Sequence, residues 1–264
     1  MKLLQITLTV AGITLILITA AFINKSTSSK TLIQRTNSGN GFAVVELFTS
    51  EGCSSCPPAD AVLARIQQEA GNKPVYVLAY HVDYWNRLGW KDQFSNPQYS
   101  KRQYQYSRQF TGQVYTPQVI INGKSEFVGS DESAINSAVT DALNTPVSVS
   151  LKLQGRLRAG GIDLDYQLTG NTVNSQLLIA LVQKHAVSNV KAGENEGRTL
   201  SHAQIVRQLY ATDLPPANQG TEYVHLPNGF NIKDWEVIGI VQNMNTGVIT
   251  AAARALLSAG PSAL

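Results

Sequence analysis

Cysteine is almost missing from this 264-residue chain: there are two, and both fall within Cys53-Ser54-Ser55-Cys56. That scarcity excludes a framework of stabilising disulfides and argues against a four-cysteine zinc site. Methionine is as rare, at Met1 and Met244, which argues against a methionine-rich copper site. Neither sign of charge is in large excess. Twenty-one Lys and Arg against eighteen Asp and Glu leave a formal +3, too little for the strongly basic face that nucleic acid requires. No internal repeat is visible, and no cysteine directly follows the N-terminal apolar stretch, so a lipid attached there through a thiol is excluded.

What is present begins with that stretch. Lys2 precedes an uncharged segment from Leu3 to Ile23, and Thr19-Ala20-Ala21 offers small residues for cleavage. Residues 1–23 are therefore expected to be a secretory signal peptide or a signal anchor, the length being enough for either. Residues 24–41, rich in Ser, Thr, Asn and Lys, read as a flexible tether. The remainder is expected outside the cytoplasm, periplasmic or secreted, meeting the membrane only through the N-terminal segment if that is uncleaved. Roughly 220 residues are left, comfortable for two domains.

Ala43 to Thr49 is a β-branched and aromatic run, a buried strand. After the cysteines, Ala59, Val62, Leu63, Ile66 and Ala70 form one helical stripe that stops at Gly71, which places Cys53 at or near a helix N-terminus. Val75 to Val82 is a second strand. Asn96-Pro97 opens a tyrosine-rich helix reaching about Phe110. Gln118 to Asn122 is a third strand, Asn122-Gly123 a hairpin turn, Glu126 to Val128 a fourth strand, and Ser130 caps a helix containing Ile135, Val139 and Leu143. The order is β, α, β, α, β, β, α.

That order, with CxxC on the first helix and Thr116-Pro117 just before the third strand, resembles the thioredoxin fold over residues 42–144. The strings Glu46-Leu47-Phe48-Thr49-Ser50-Glu51-Gly52-Cys53-Ser54-Ser55-Cys56-Pro57-Pro58, His81-Val82-Asp83-Tyr84-Trp85 and Val114-Tyr115-Thr116-Pro117 are similar to a family of bacterial secreted thioredoxin-like proteins. The resemblance implies a cis Pro117 beside the dithiol, Thr116 presenting its backbone to a substrate strand, and Glu46 beneath the cysteines as a proton carrier. It offers a fold rather than a substrate.

The residues themselves argue the chemistry. A helix N-terminus lowers a thiol's pKa through its partial positive charge and free N–H donors, so Cys53 is the expected nucleophile and Cys56, one turn on, the resolving thiol. Ser54 and Ser55 supply donors without a histidine's charge, which predicts a dithiol that is not among the strongest oxidants. This chemistry requires that the Cys53 sulfur be reachable. His81, at the end of the second strand, could carry a proton or bind a metal, or simply be hydrogen-bonded and half-buried. Tyr84, Trp85 and Trp90 could line a substrate groove, or belong to the core. Tyr99, Tyr104, Tyr106 and Phe110 among Lys101, Arg102 and Arg108 read as one packed and one solvated helix face.

Beyond Pro146 the pattern changes to alternation: Val147, Val149, Leu151 and Leu153, then Ile162, Leu164, Tyr166 and Leu168. With Leu177–Val182, Tyr223–Leu226, Val237–Val241 and Val248–Ala253, residues 146–257 are expected to form an antiparallel β-sandwich domain. Glu194 to Arg198 and His202 read as a solvated loop, with contact to the dithiol the other reading. His185 and His225 receive no role. The expected fold class is thus α/β, a thioredoxin-like domain followed by a β-sandwich. Three functions stand open. The first is an envelope thiol-disulfide oxidoreductase with no cofactor beyond its redox-active Cys53–Cys56 pair, acting on protein thiols or disulfides and recharged by a redox partner. The second is a Cu(I)-binding protein using Cys53, Cys56 and His81, and the third a non-catalytic interaction protein whose disulfide is inert.

Overall fold

In the computed structural model, residues 41–110 and 112–258 are described. The expected export segment, and the tether up to residue 40, lie outside them. Among the described residues no helix is long and apolar enough to cross a membrane.

The N-terminal half follows its periodicities. Strand β1, Ala43–Thr49, is buried along its whole length. Helix α1, Pro57–Ala70, accepts prolines at its first two positions because first-turn N–H groups have no intrahelical partner, and it turns inward the stripe Ala59, Val62, Leu63, Ile66 and Ala70. Burying each Val, Leu or Ile there is worth roughly 1.5–3 kcal/mol. Strand β2, Val75–His81, is followed by a 3₁₀ turn, Tyr84–Leu88, and helix α2, Pro97–Ser107, whose cap Asn96 accepts from the Gln98 N–H at 2.9 Å. Strands β3, Gln118–Ile121, and β4, Ser125–Val128, form a hairpin through Asn122-Gly123, both at positive φ. Helix α3, Glu132–Asn144, is capped by Asp131, which accepts from the Ala134 N–H at 3.1 Å, not by Ser130.

Eight further strands follow: β5 Ser150–Arg158, β6 Gly161–Thr169, β7 Ser175–Asn189, β8 Thr199–Asp213, β9 Gln219–His225, β10 Trp235–Asn243, β11 Ile249–Arg254 and β12 Leu256–Ser258. They are shared between two sheets. One has eight strands in the order β11-β10-β7-β8-β2-β1-β3-β4; the other has four, β12-β5-β6-β9. The seam of the large sheet is a parallel contact between β2 and β8 at Ala79 and Ile205.

Alternation assigns the faces. Val44, Phe48, Leu78, Tyr80 and Ile120 join Ala180, Val182, Ile238 and Ile240 under α2, in a core that spans both halves of the chain. The opposite parity, Val45, Leu47, Val77, Ala79 and Val119, packs on α1 and α3. Leu177, Ile179, Leu181, Val237 and Val241 pack instead on Leu151, Leu153, Ile162 and Leu164 of the small sheet. Strand β7 is covered on both sides, which is why Leu177 to Val182 reads as an unbroken apolar run.

This overturns the expected fold class, a thioredoxin-like α/β domain followed by a β-sandwich. The protein is mostly β, two mixed sheets with three helices among the described residues. The physical reason is β8. It pairs along its length with β7 and touches the free edge of β2, so strands assigned to separate folds share one sheet and one core.

Candidate functional site

The segment from Ser50 to Cys56 leaves the carboxyl end of β1 as consecutive turns: the Cys53 N–H donates to Ser50 O at 3.2 Å and the Cys56 N–H to Cys53 O at 3.2 Å. Cys56, not Cys53, is the cap residue of α1. The two sulfurs are joined in a disulfide. Thr116 Oγ1 donates to Cys53 Sγ at 3.3 Å, and Ser55 Oγ stands 3.3 Å from the same sulfur. The Thr116–Pro117 bond is cis, as the resemblance implies. Trp85 Nε1 donates to Thr116 Oγ1 at 2.8 Å, which leaves the hydroxyl proton free to face sulfur.

Both cysteines are fully buried, whereas Ser54 and Ser55 are exposed. The expectation of a reachable Cys53 sulfur is not met in this closed arrangement. The loop between β7 and β8 is bonded to the backbone of the turn. Asn195 Nδ2 donates to the carbonyls of both Glu51 and Cys53 at 2.9 Å, Arg198 holds Asn195 Oδ1 at 2.7 Å, and Glu194 Oε2 accepts from the Ser54 N–H at 2.9 Å. Glu194 to Arg198 is thus a latch on the dithiol turn, the alternative to the solvated-loop reading.

Behind the turn lies a buried polar cluster. His81 Nδ1 donates to Asp92 Oδ2 at 2.7 Å, and Asp92 also accepts from the Glu51 and Phe94 N–H groups at 2.9 and 2.8 Å. Glu51 Oε2 accepts from Trp90 Nε1 at 2.6 Å. His202, from β8, stands 3.6 Å from Glu51 Oε1 and 3.6 Å from Asp60 Oδ2, with Ser188 Oγ 3.2 Å away and the rings of His81 and Phe94 against its own. Burial lowers the His202 imidazolium, but the facing Asp60 and Glu51 carboxylates overcome it and lift the pKa to about 9. Burial pushes Glu51 up, and so does Asp92; His202 and Trp90 outweigh them and hold it below the ordinary range. Burial likewise raises Asp92, and His81 with the two backbone donors brings it below its usual value.

The other residues named from sequence go elsewhere. Glu46 has the parity of Val44 and Phe48, so it points to the α2 face, away from α1 and the cysteines; there it meets Arg102 at 2.7 Å and Tyr106 at 2.5 Å. Tyr84, Trp85 and Trp90 are half-buried with their polar atoms committed inward, Tyr84 to Gln103 at 3.2 Å, and burial pushes the Tyr84 phenol to about 12. Among the described residues no group of three or more His, Cys, Asp or Glu is arranged to hold a metal. Asn195 and His202 belong to the polar group whose contact with the dithiol is the second sequence reading, whereas Glu51, Asp60 and Asp92 have no place in the sequence-based site. Of these three only Asp60, four residues after Cys56 on the same helix face, carries a local signal.

Three comparisons bear on this arrangement. No curated protein matches the chain. Among solved structures, a protein of Agrobacterium tumefaciens determined by X-ray crystallography is 28% identical, with a TM-score of 0.63 over 81% of this chain and 93% of its own. A domain of the outer membrane lipoprotein Omp28 from Porphyromonas gingivalis is 10% identical, with a TM-score of 0.26 over 43% of this chain and 91% of its own, too slight a likeness to carry an argument. A family model spans residues 44–242, the dithiol turn, the cluster and the latch included. The chain belongs to that family, described as "Protein of unknown function (DUF1223)".

Proposed function

We propose that this protein is a thiol-disulfide oxidoreductase of the cell envelope, working through the Cys53–Cys56 pair on protein thiols or disulfides. One observation carries the reading. The chain's two cysteines close a disulfide in the turn before α1, with the Thr116 and Ser55 hydroxyls beside one sulfur and a buried acid and histidine cluster behind. From the resemblance the reading keeps the dithiol chemistry alone. Its location rests on the uncharged segment from Leu3 to Ile23.

The sulfurs differ in surroundings. Cys53 Sγ has two hydroxyl neighbours that stabilise a thiolate once the disulfide opens, and so it is the attacking sulfur. Cys56 caps α1, at the positive end of the helix dipole, and is the leaving and resolving sulfur. Because both are covered, exchange requires the Glu194–Arg198 latch to lift. The same burial supports a second reading, a structural clip that never turns over.

Reduction of insulin disulfides and oxidation of a reduced protein substrate, by the wild type and by Cys53→Ser and Cys56→Ser, separate the two. Turnover by the wild type and mixed disulfides trapped by Cys56→Ser but not Cys53→Ser would support catalysis. A disulfide that resists reductant until the protein unfolds would establish the clip.

A further inference from the structure

Glu51 stands two residues before Cys53, Asp60 four after Cys56, and His202 joins them from β8, the strand that meets β2 at Ala79 and Ile205. All three are nearly or completely buried. Most buried polar atoms in native proteins are paired, yet Glu51 Oε1, His202 Nδ1 and His81 Nε2 have no hydrogen-bond partner, and the first two are the atoms that face across the 3.6 Å gaps. His202 therefore has a carboxylate on either side at a distance that a small side-chain movement brings into hydrogen-bond reach, as proton transfer requires.

We propose that Glu51, His202 and Asp60 are the proton store of the Cys53–Cys56 pair, with His202 as the proton-holding group and Asp60 as the link to Cys56. The proposal rests on the oxidoreductase reading. Asp60 is one helical turn from Cys56, so the two share a face of α1, and both are buried. When a substrate thiolate attacks Cys53 Sγ, a mixed disulfide forms, the Cys53–Cys56 bond breaks and its electron pair goes to Cys56 Sγ. Cys56 takes a proton from His202 across Asp60. The substrate's second thiol then gives its proton to the neutral imidazole and attacks the mixed disulfide, leaving Cys53 as a thiolate. Two electrons have passed from substrate to protein, the substrate is a disulfide, and His202 is charged again. The reverse sequence reduces a substrate disulfide.

A cation in this position favours the charged, reduced pair, and the pKa near 9 keeps it charged through neutral pH. The groups around it are Glu51 and Trp90 from the turns, Asp60 from α1, His81 from β2 with Asp92, and Ser188 from β7; Arg207 lies over the Phe94 ring, 5.1 Å from its centre. The positive charge on Arg207 remains when His202 is removed.

The test is the equilibrium of the dithiol in the full chain against dithiothreitol buffers from pH 6 to pH 10.5, for wild type, His202→Gln and Asp60→Asn. At pH 7, His202→Gln is expected to lower the equilibrium constant for reduction about tenfold, or ~30 mV, and the difference should vanish above pH 10. Asp60→Asn, which keeps the imidazole, should move the break in the wild-type profile to lower pH. An equal displacement at every pH, or none, would overturn the proton store. A pH-dependent difference with no exchange on insulin or a reduced protein would leave the store standing and overturn the oxidoreductase reading. A disulfide that cannot be reduced in the folded chain overturns both.

Discussion

The perturbation that best separates structure from chemistry is Glu46→Gln. Glu46 and Arg102 are buried on the α2 face, where the guanidinium also donates to Gln242 Oε1 and Tyr106 Oη at 2.9 Å, tying α2 to β1 and β10. Removing the carboxylate's charge leaves a desolvated cation, which costs about 3–5 kcal/mol when such a pair is broken. Gln retains the shape and one acceptor, so the lower end, about 3 kcal/mol, is expected. Arg102→Met strands the carboxylate and should cost as much. The double variant removes both charges and should recover about 2–3 kcal/mol relative to the sum of the singles. Urea unfolding followed by tryptophan fluorescence and far-UV circular dichroism measures all three, with m-values checked for constancy. Because Glu46 faces away from α1, Glu46→Gln should leave the rate of disulfide reduction in the native state within twofold of wild type. A variant that loses less than about 1 kcal/mol while slowing thiol exchange tenfold would refute the reasoning and return to Glu46 the proton-carrying role that the resemblance implied.

Three further outcomes follow from the same contacts. His202 binds its proton more tightly folded, at about 9, than in the unfolded chain at about 6.5, so its contribution is full below pH 6.5 and disappears as pH rises through 9. It amounts to roughly 3 kcal/mol at most, and unfolding free energies measured between pH 6 and pH 10 should lose that slope in His202→Gln. A Cβ at Gly129 would lie 2.8 Å from Pro117 Cβ and 2.9 Å from Ala59 Cβ, so Gly129→Ala should destabilise by about 1–3 kcal/mol in thermal unfolding. Asn195→Ala leaves the Glu51 and Cys53 carbonyls without their latch donor and should speed reduction of the native disulfide by a water-soluble phosphine about tenfold; an unchanged rate would mean that the latch does not control access.

The first seven elements could be read because each carries its own pattern: the helical stripe from Ala59 to Ala70, the Asn96-Pro97 start, the Asn122-Gly123 turn. Strand β8 carries none. His202, Gln204, Arg207 and Gln208 interrupt its apolar residues, a register shift in its pairing with β7 breaks the alternation, and Gln204 sits at positive φ. The latter half of β7, Gln183 to Asn189, is mostly polar for a related reason: it runs on past β10, whose pairing ends at Gln183, and brings Ser188 to His202. Those polar interruptions hid the strands and, with them, the sharing of one sheet by both halves of the chain.

The same residues hid the site. A buried histidine is cheap only where carboxylates meet it, and Glu51 and Asp60 are close in sequence to the cysteines while His202 is about 140 positions away. Either carboxylate alone reads as an ordinary surface residue beside a turn. His202 alone reads as a loop histidine. Their burial becomes intelligible once β8 is laid against β2, since that contact brings the histidine face of β8 onto α1, where Gln204 also reaches Gln67 at 3.1 Å. The strand that breaks the expected two-part fold is therefore the strand that completes the cluster behind the dithiol, and a chain cut after residue 144 would retain the CxxC turn but lose His202, Asn195 and Glu194 together.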